Sequence, residues 1–262
     1  IDQIEHEAVK NLLKYHKINR GLEIHYDGDL PARSGMGSSS CFTVGLMKAL
    51  NTLDKKSITN FQLAKKAIYF EQKIMDETVG SQDQIAASVG GFNKIIFKKK
   101  DKFEIKKISK KKNIKKLEKN LVLIYTGINR TAHKIASGYA SKLSTTKKNY
   151  IQKMCEHVTE GEKLLNSGDI DDFGRLLNHA WDLKKKLSNA ISNTRIDDIY
   201  NIAIRNGSLG GKLLGAGGGG FLLMYMKKQH QKYFFKQNPK LINIPFNFTN
   251  EGSQVIFKDL NR

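Results

Sequence analysis

Apolar residues return at steps of three and four over residues 1–16, where Ile4, Ala8 and Leu12 are flanked by Val9 and Leu13, so the chain is expected to open on an amphipathic helix. Leu22 to Tyr26 alternates apolar and polar as a half-buried strand does, and Gly21 separates it from the helix. A helical period resumes at Phe42, Leu46 and Leu50, and again over Thr59 to Met75 through Phe61, Ala64, Ile68, Glu71 and Met75. The lysine-rich run from Lys98 to Lys119, with Ile96, Phe97, Phe103, Ile105 and Ile108 around a Lys100-Asp101 turn, predicts a solvated β-hairpin. Leu121 to Tyr125 and Phe221 to Tyr225 are apolar runs of strand length. Between them lie three helical stretches, one with a stripe of Leu176, Leu177, Ala180 and Leu183 that His179 and Trp181 flank as packing residues. A helix to Gln237 and strands at Leu241–Phe248 and Gln254–Phe257 close the pattern.

Four stretches carry chemistry. Gly35 and Gly37 lead into Ser38, Ser39 and Ser40 immediately before the Phe42 helix. Glycine permits φ > 0 and close backbone approach, serine caps a helix, and the open N–H groups of a first turn attract an anion. The stretch reads as a phosphate loop or as an ordinary serine-capped turn, and it lacks the Lys-Ser/Thr of a P-loop. Glu71 falls on an apolar stripe, where a carboxylate needs either a metal ion or a basic side chain beside it. Ser81 and Gln84 have capping-box spacing and place Asp83 in a first helical turn, which predicts a lowered carboxyl pKa. Gly90-Gly91 would end that short helix. Seven glycines in the eleven residues 210–220 serve either backbone approach, to the Gly35 loop and a nucleotide, or a flexible linker.

Pro31 to Ser40 resembles the ATP-binding motif of the GHMP kinases, and the glutamate, the Gly-x-x-Asp-Gln stretch and Lys212-Leu-x-Gly-Ala-Gly-x-Gly-Gly220 agree with that family in identity and order. The resemblance implies an α+β fold in two domains. Residues 1–118 would form the ATP-binding domain, a mixed α/β domain of ribosomal-protein-S5-like type with a left-handed βαβ crossover, and residues 119–262 a ferredoxin-like C-terminal domain. The family's opening strands do not precede Ile1, so the first domain is expected to lack its initial segment.

The resemblance further implies ATP and Mg²⁺ as cofactors. Nucleotide-binding positions would be Pro31, Arg33, Ser34, Gly35, Met36, Gly37, Ser38, Ser39, Ser40, Gly215, Gly217, Gly218 and Gly219. Arg130, Thr131 and Lys212 are further candidates, with a plain surface role open for Arg130. Ser39 and Glu71 would hold the metal, and Asp83 would face the acceptor hydroxyl as the catalytic residue. Within the family, Glu71 to Gln84 with Gly90-Gly91-Phe-Asn93 is most similar to the bacterial kinases that phosphorylate D-glycero-D-manno-heptose 7-phosphate for surface-polysaccharide precursors. Galactokinase- or fucokinase-like activity is the alternative.

Composition changes this picture little. The 262 residues carry a formal charge of +20 and a pI near 9.8, which raises nucleic-acid binding as a rival class. Only seven of the 45 basic residues are arginine, whereas base and phosphate readers favour arginine forks, so a small acidic substrate is the preferred partner. A non-catalytic interaction protein of the same fold is disfavoured by the presence of both Glu71 and Asp83. Cys41 and Cys155 make neither a metal cluster nor a disulfide framework, and Cys41 is expected as a small buried residue. No apolar run reaches the length of a membrane span, which predicts a cytoplasmic protein acting on a sugar phosphate, without membrane or nucleic acid, with a homodimer left open.

Overall fold

The computed structural model describes residues 1–30, 34–99, 101–108, 110–129, 138, 143 and 145–259. Contacts divide the chain into two compact units that do not follow it linearly. One comprises Ile1–Ala32, Gly37–Gly91 and Thr249–Arg262, the other Arg33–Met36 and Phe92–Phe248. The expected division at 118/119 therefore falls inside the second unit, because the hairpin and the helix that follows it share an apolar cluster with Leu165, Ile170 and Tyr225 through Ile108 and Leu117.

In the first unit every regular element among the described residues is helical. Helix α1 spans Glu7–Tyr15 and starts later than expected, where the His6 side chain accepts from the Val9 N–H. Helix α2 (Ser38–Leu53) and α3 (Asn60–Tyr69) follow, α3 opened by a capping box between Thr59 and Gln62. The α3 pattern does not continue to Met75. It gives way to a π-helical turn, Phe70–Ile74, and then after a loop to α4 (Gln82–Val89). The buried face of α3 is Leu63, Ala64 and Ala67, one position off the expected stripe, and Phe61 lies exposed under the Lys65 ammonium. Leu12, Met47, Leu63 and Phe70 anchor the core of this unit. Each such side chain contributes about 1.5–3 kcal/mol by leaving water.

Leu22 to Tyr26 forms no strand among the described residues, and its apolar side chains are exposed. Alternation alone cannot make a strand when no neighbour satisfies its backbone groups. No strand precedes Asn93 among the described residues, so the expected crossover does not appear there. Residues 254–257, expected as a strand, form none for the same reason, and Ile256 and Phe257 are exposed.

The second unit begins with the expected hairpin, β1 (Asn93–Phe97) antiparallel to β2 (Phe103–Lys107). The end of the lysine-rich run is not part of it: α5 (Lys111–Asn120) is a helix turned inward by Leu117. Then come β3 (Leu121–Tyr125), α6 (Lys148–Ser167), α7 (Ile170–Lys185) and α8 (Thr194–Arg205). The chain continues through β4 (Ser208–Leu213), β5 (Phe221–Met226), α9 (Lys228–Gln237) and β6 (Ile242–Ile244), the last shorter than the expected 241–248. Their sheet has the order β4-β5-β3-β6 with every pair antiparallel, which is the ferredoxin-like arrangement expected for the C-terminal half. Trp181, Ile124, Tyr200 and Phe234 fill its core, so Trp181 packs as expected, while His179 is exposed.

Candidate active site

The first unit gathers its chemistry where α2 begins. Gly37 is the N-cap with φ 73°, and no side chain caps the helix. The three serines are thus not caps: they occupy the first turn itself, and they leave its N–H groups to a ligand. A Cβ on Gly37 would stand 3.1 Å from Cβ and Cγ of Asp83, so glycine is what lets the Asp83 carboxyl pack against the start of α2. The inward face of α2 carries Ser40, Thr43, Val44 and Met47, and on this face Ser40 Oγ donates to Glu71 Oε2 at 2.9 Å. Ser39, expected as the partner of Glu71, lies one position round the helix and is exposed.

Glu71 sits in the π-helical turn and is 2 % exposed. A π turn inserts one residue into the helical register and re-aims the side chains that follow, a device common at functional sites. Gln84 Nε2 also donates to Glu71 Oε2. Gln84 therefore forms no capping box with Ser81, whose hydroxyl accepts from Gln72 instead. Among the described residues no lysine or arginine pairs with Glu71. Burial pushes its carboxyl above the ordinary range, while Gln84, Ser40 and Thr43 pull the other way. Oε1 accepts no hydrogen bond of ordinary geometry and is buried.

Asp83 is also raised, by burial first, with the Gln82 side chain opposing. The expected lowering at a helix N-terminus is overturned because loss of water outweighs what the first turn of α4 offers. Cys41 is exposed, not buried, and partial desolvation followed by the charges of Asp83 and Glu71 pushes its thiol up, away from a reactive thiolate.

In the second unit the glycine run is an ordered loop. Gly215, Gly217, Gly218 and Gly220 all take positive φ. Gly220 packs so closely on Ser34 that a Cβ there would overlap the Ser34 carbonyl oxygen, which answers the expectation of backbone approach to the Gly35 stretch and dismisses the linker. The loop is pinned at its far side by Thr126, whose N–H and hydroxyl both donate to the Gly220 carbonyl, at 2.9 and 2.8 Å. The Lys184 ammonium donates to the carbonyls of Leu213 (2.8 Å) and Gly215 (2.6 Å). Arg195 Nε donates to Thr126 O at 2.6 Å. Sequence reasoning missed Lys184, which stands in a Lys-Lys-Lys run with no mark to distinguish it from solvated lysines. Lys212 is not part of this loop: it lines a cavity beneath α6 and α7. Pro31, Arg33, Arg130 and Thr131 lie outside the described residues.

No group of three or more His, Cys, Asp or Glu among the described residues could hold an ion. A single buried carboxylate with one open oxygen and a hydroxyl beside it does fit Mg²⁺, which takes one or two carboxylates and completes its shell with water and phosphate.

Comparison with known proteins bears on the same residues. Residues 4–91 match the model of the GHMP kinases N-terminal domain, and residues 162–239 that of the GHMP kinases C-terminal domain. The D-glycero-alpha-D-manno-heptose 7-phosphate kinase of Campylobacter jejuni is 30% identical over 236 residues, covering 88% of this chain and 69% of its own length. The bifunctional fucokinase/GDP-fucose pyrophosphorylase of Arabidopsis thaliana is 28% identical over 79% of this chain, which spans only 20% of that protein. A D-glycero-D-manno-heptose 1-phosphate kinase structure from Bacteroides thetaiotaomicron superposes with a TM-score of 0.73 at 23% identity, over 96% of this chain and 76% of its own, a likeness of fold. Two family models matched in order, an α2 start open to an anion, and a relative aligned along most of the sequence lead to one conclusion: the chain belongs to the GHMP kinase family.

Proposed function

We propose that the protein is a sugar-phosphate kinase that transfers the γ-phosphoryl group of ATP to the anomeric hydroxyl of D-glycero-D-manno-heptose 7-phosphate, giving the 1,7-bisphosphate. The observation that carries this reading is the Asp83 carboxyl packed against Gly37, at the open N-terminus of α2. A group that can accept a proton thus stands beside a place suited to phosphate.

The residues divide the work as follows. The N–H groups at the start of α2 receive phosphate oxygens, and Gly35 allows the chain to approach them. Asp83 orients the acceptor hydroxyl and takes its proton as the hydroxyl oxygen bonds to the γ-phosphorus and the bond to the leaving ADP oxygen breaks. Its raised pKa suits it to this role better than a carboxylate of ordinary acidity. Glu71 Oε1 and the Ser40 hydroxyl are the groups that would hold Mg²⁺. When bound, the ion neutralises charge on the phosphates. Within the second unit, Gly217, Gly218 and Gly219 lie in a loop anchored by Lys184 on the Gly215 carbonyl and by Thr126 on the Gly220 carbonyl.

The heptose relative and the high positive charge support a phosphorylated acceptor. A fucokinase-like activity is the second reading, favoured by the Arabidopsis relative. Both are tested by following ADP release with heptose 7-phosphate, free heptose, galactose and fucose. Turnover of the free sugars as efficient as that of the 7-phosphate would overturn the heptose-phosphate assignment and leave the kinase standing.

A further inference from the structure

Within the second unit a cavity of ≈ 290 Å³ lies among α6, α7, β4 and the segment leading into β1. Its wall is mostly carbon, from Phe92, Ile108, Leu165, Phe173, Leu177 and Ala180. Lys212 enters this wall from β4. Two residues earlier, Gly210 faces the α7 backbone at Gly174 and Asn178, so strand alternation puts Lys212 on the helix-covered side of the sheet. No salt bridge or hydrogen bond joins the Lys212 ammonium to any of the described residues. The one carboxylate among the lining residues is already engaged: Glu162 binds Lys94 at 2.7 Å and Lys106 at 2.5 Å. Those two lysines stand opposite each other across the hairpin, and Lys106 foremost, with Lys94, holds the Glu162 carboxyl at about 2. His157 Nδ1, also on the wall, has no hydrogen-bond partner among the described residues. The cavity thus presents one uncompensated cation and one open imidazole nitrogen among hydrocarbon.

We infer that this cavity binds a small amphipathic organic monoanion, a carboxylate on an apolar chain, whose head pairs with Lys212 and whose body lies between α6 and α7. Lys212 is half-buried, and an ammonium without a counter-charge in a mostly carbon wall is disfavoured, which draws its pKa below the ordinary range. An anion beside it removes that cost. Among the lining residues Lys94 offsets Glu162 and Lys212 is left over, so a single negative charge matches the wall. The volume stands at the lower end of the range for ligand pockets, which suits a body of about ten heavy atoms.

Calorimetric titration of the protein with octanoate, 1-octanol and octylamine tests the inference. Octanoate is expected to bind at least ~10-fold more tightly than 1-octanol, and octylamine not at all. In Lys212→Met, which keeps the length and removes the charge, octanoate should weaken at least ~10-fold while 1-octanol is unchanged. Octanoate binding no tighter than 1-octanol, equal binding by Lys212→Met, or no binding of octanoate up to its solubility would each overturn the proposal. Should Lys212→Met fail to fold, Ala180→Phe, which fills the cavity without altering charge, must abolish octanoate binding, and retained binding there overturns it equally.

Discussion

At the residue scale the two carboxylates of the first unit share a cause and differ in surroundings. Both are raised because burial disfavours the anion, but Glu71 receives Gln84 and Ser40, whereas Asp83 has the Gln82 side chain and lies against Gly37. Asp83→Asn keeps the shape and removes the proton acceptor, so kcat should fall at least ~10²-fold with nucleotide affinity nearly intact. Wild-type turnover by that variant would reduce Asp83 to a packing role. For the metal, Ser40→Ala and Glu71→Gln should raise the Mg²⁺ concentration needed for half-maximal rate, and Ser39→Ala should raise it less. A Ser39 variant more damaged than the Ser40 variant would return the metal to the exposed serine. Stability also carries a sign that can be checked. A raised carboxyl binds protons in the folded state between its unfolded value, 4.5 for Glu71 and 3.8 for Asp83, and its raised value, so unfolding free energy falls as pH rises through that window. Glu162 acts oppositely, but only below 4.5, where its unfolded form takes up a proton. Burial lowers the pKa of His16, which works in the opposite sense near 6.5, so the check is the difference between two proteins: as pH rises above 4.5, the melting temperature of the metal-free wild type should fall relative to that of Glu71→Gln. An identical slope in the two proteins would remove Glu71 from the account.

At the element scale, two features that no side-chain pattern announces place the chemistry. Glu71 keeps the register of Ala64 and Ala67 and lies buried where the π turn Phe70–Ile74 begins, and the left-handed Gly37 starts α2 without a side-chain cap. The glycine loop is the counterpart in the second unit. Gly220→Ala meets both a φ of 95° and the Ser34 carbonyl, so it should cost more than about 3 kcal/mol or prevent folding. Gly45→Ala, with nothing near the added carbon on an exposed turn of α2, should instead stabilise by up to about 1 kcal/mol. Denaturant midpoints for the pair decide this, and similar midpoints would mean that the Ser34 contact constrains nothing.

At the scale of the whole molecule the formal charge of +20 belongs to lysines spread over the chain. Such a field raises encounter rates with anions and is screened by salt. The kcat/KM for a phosphorylated sugar should accordingly fall more steeply with ionic strength than that for the same sugar unphosphorylated, and parallel slopes would show that charge plays no part in acceptor capture. The sequence by itself determined the strand Leu121–Tyr125, all but the last residue of Phe221–Met226, the hairpin, most of the amphipathic helices, the family, the burial of Glu71 and the place of Asp83 in a first helical turn, since each rests on a local period or on residue types that only a few environments tolerate. Tertiary structure alone decided that Ser40 and not Ser39 meets Glu71, that Gln84 leaves its cap for that carboxylate, and that Lys184 holds the glycine loop while Lys212 turns into a cavity. It also withheld strands at 22–26 and 254–257. A hydrogen-bond partner, a desolvated carboxyl and a neighbouring strand are supplied by segments distant in the chain, and no local pattern can specify which segment arrives.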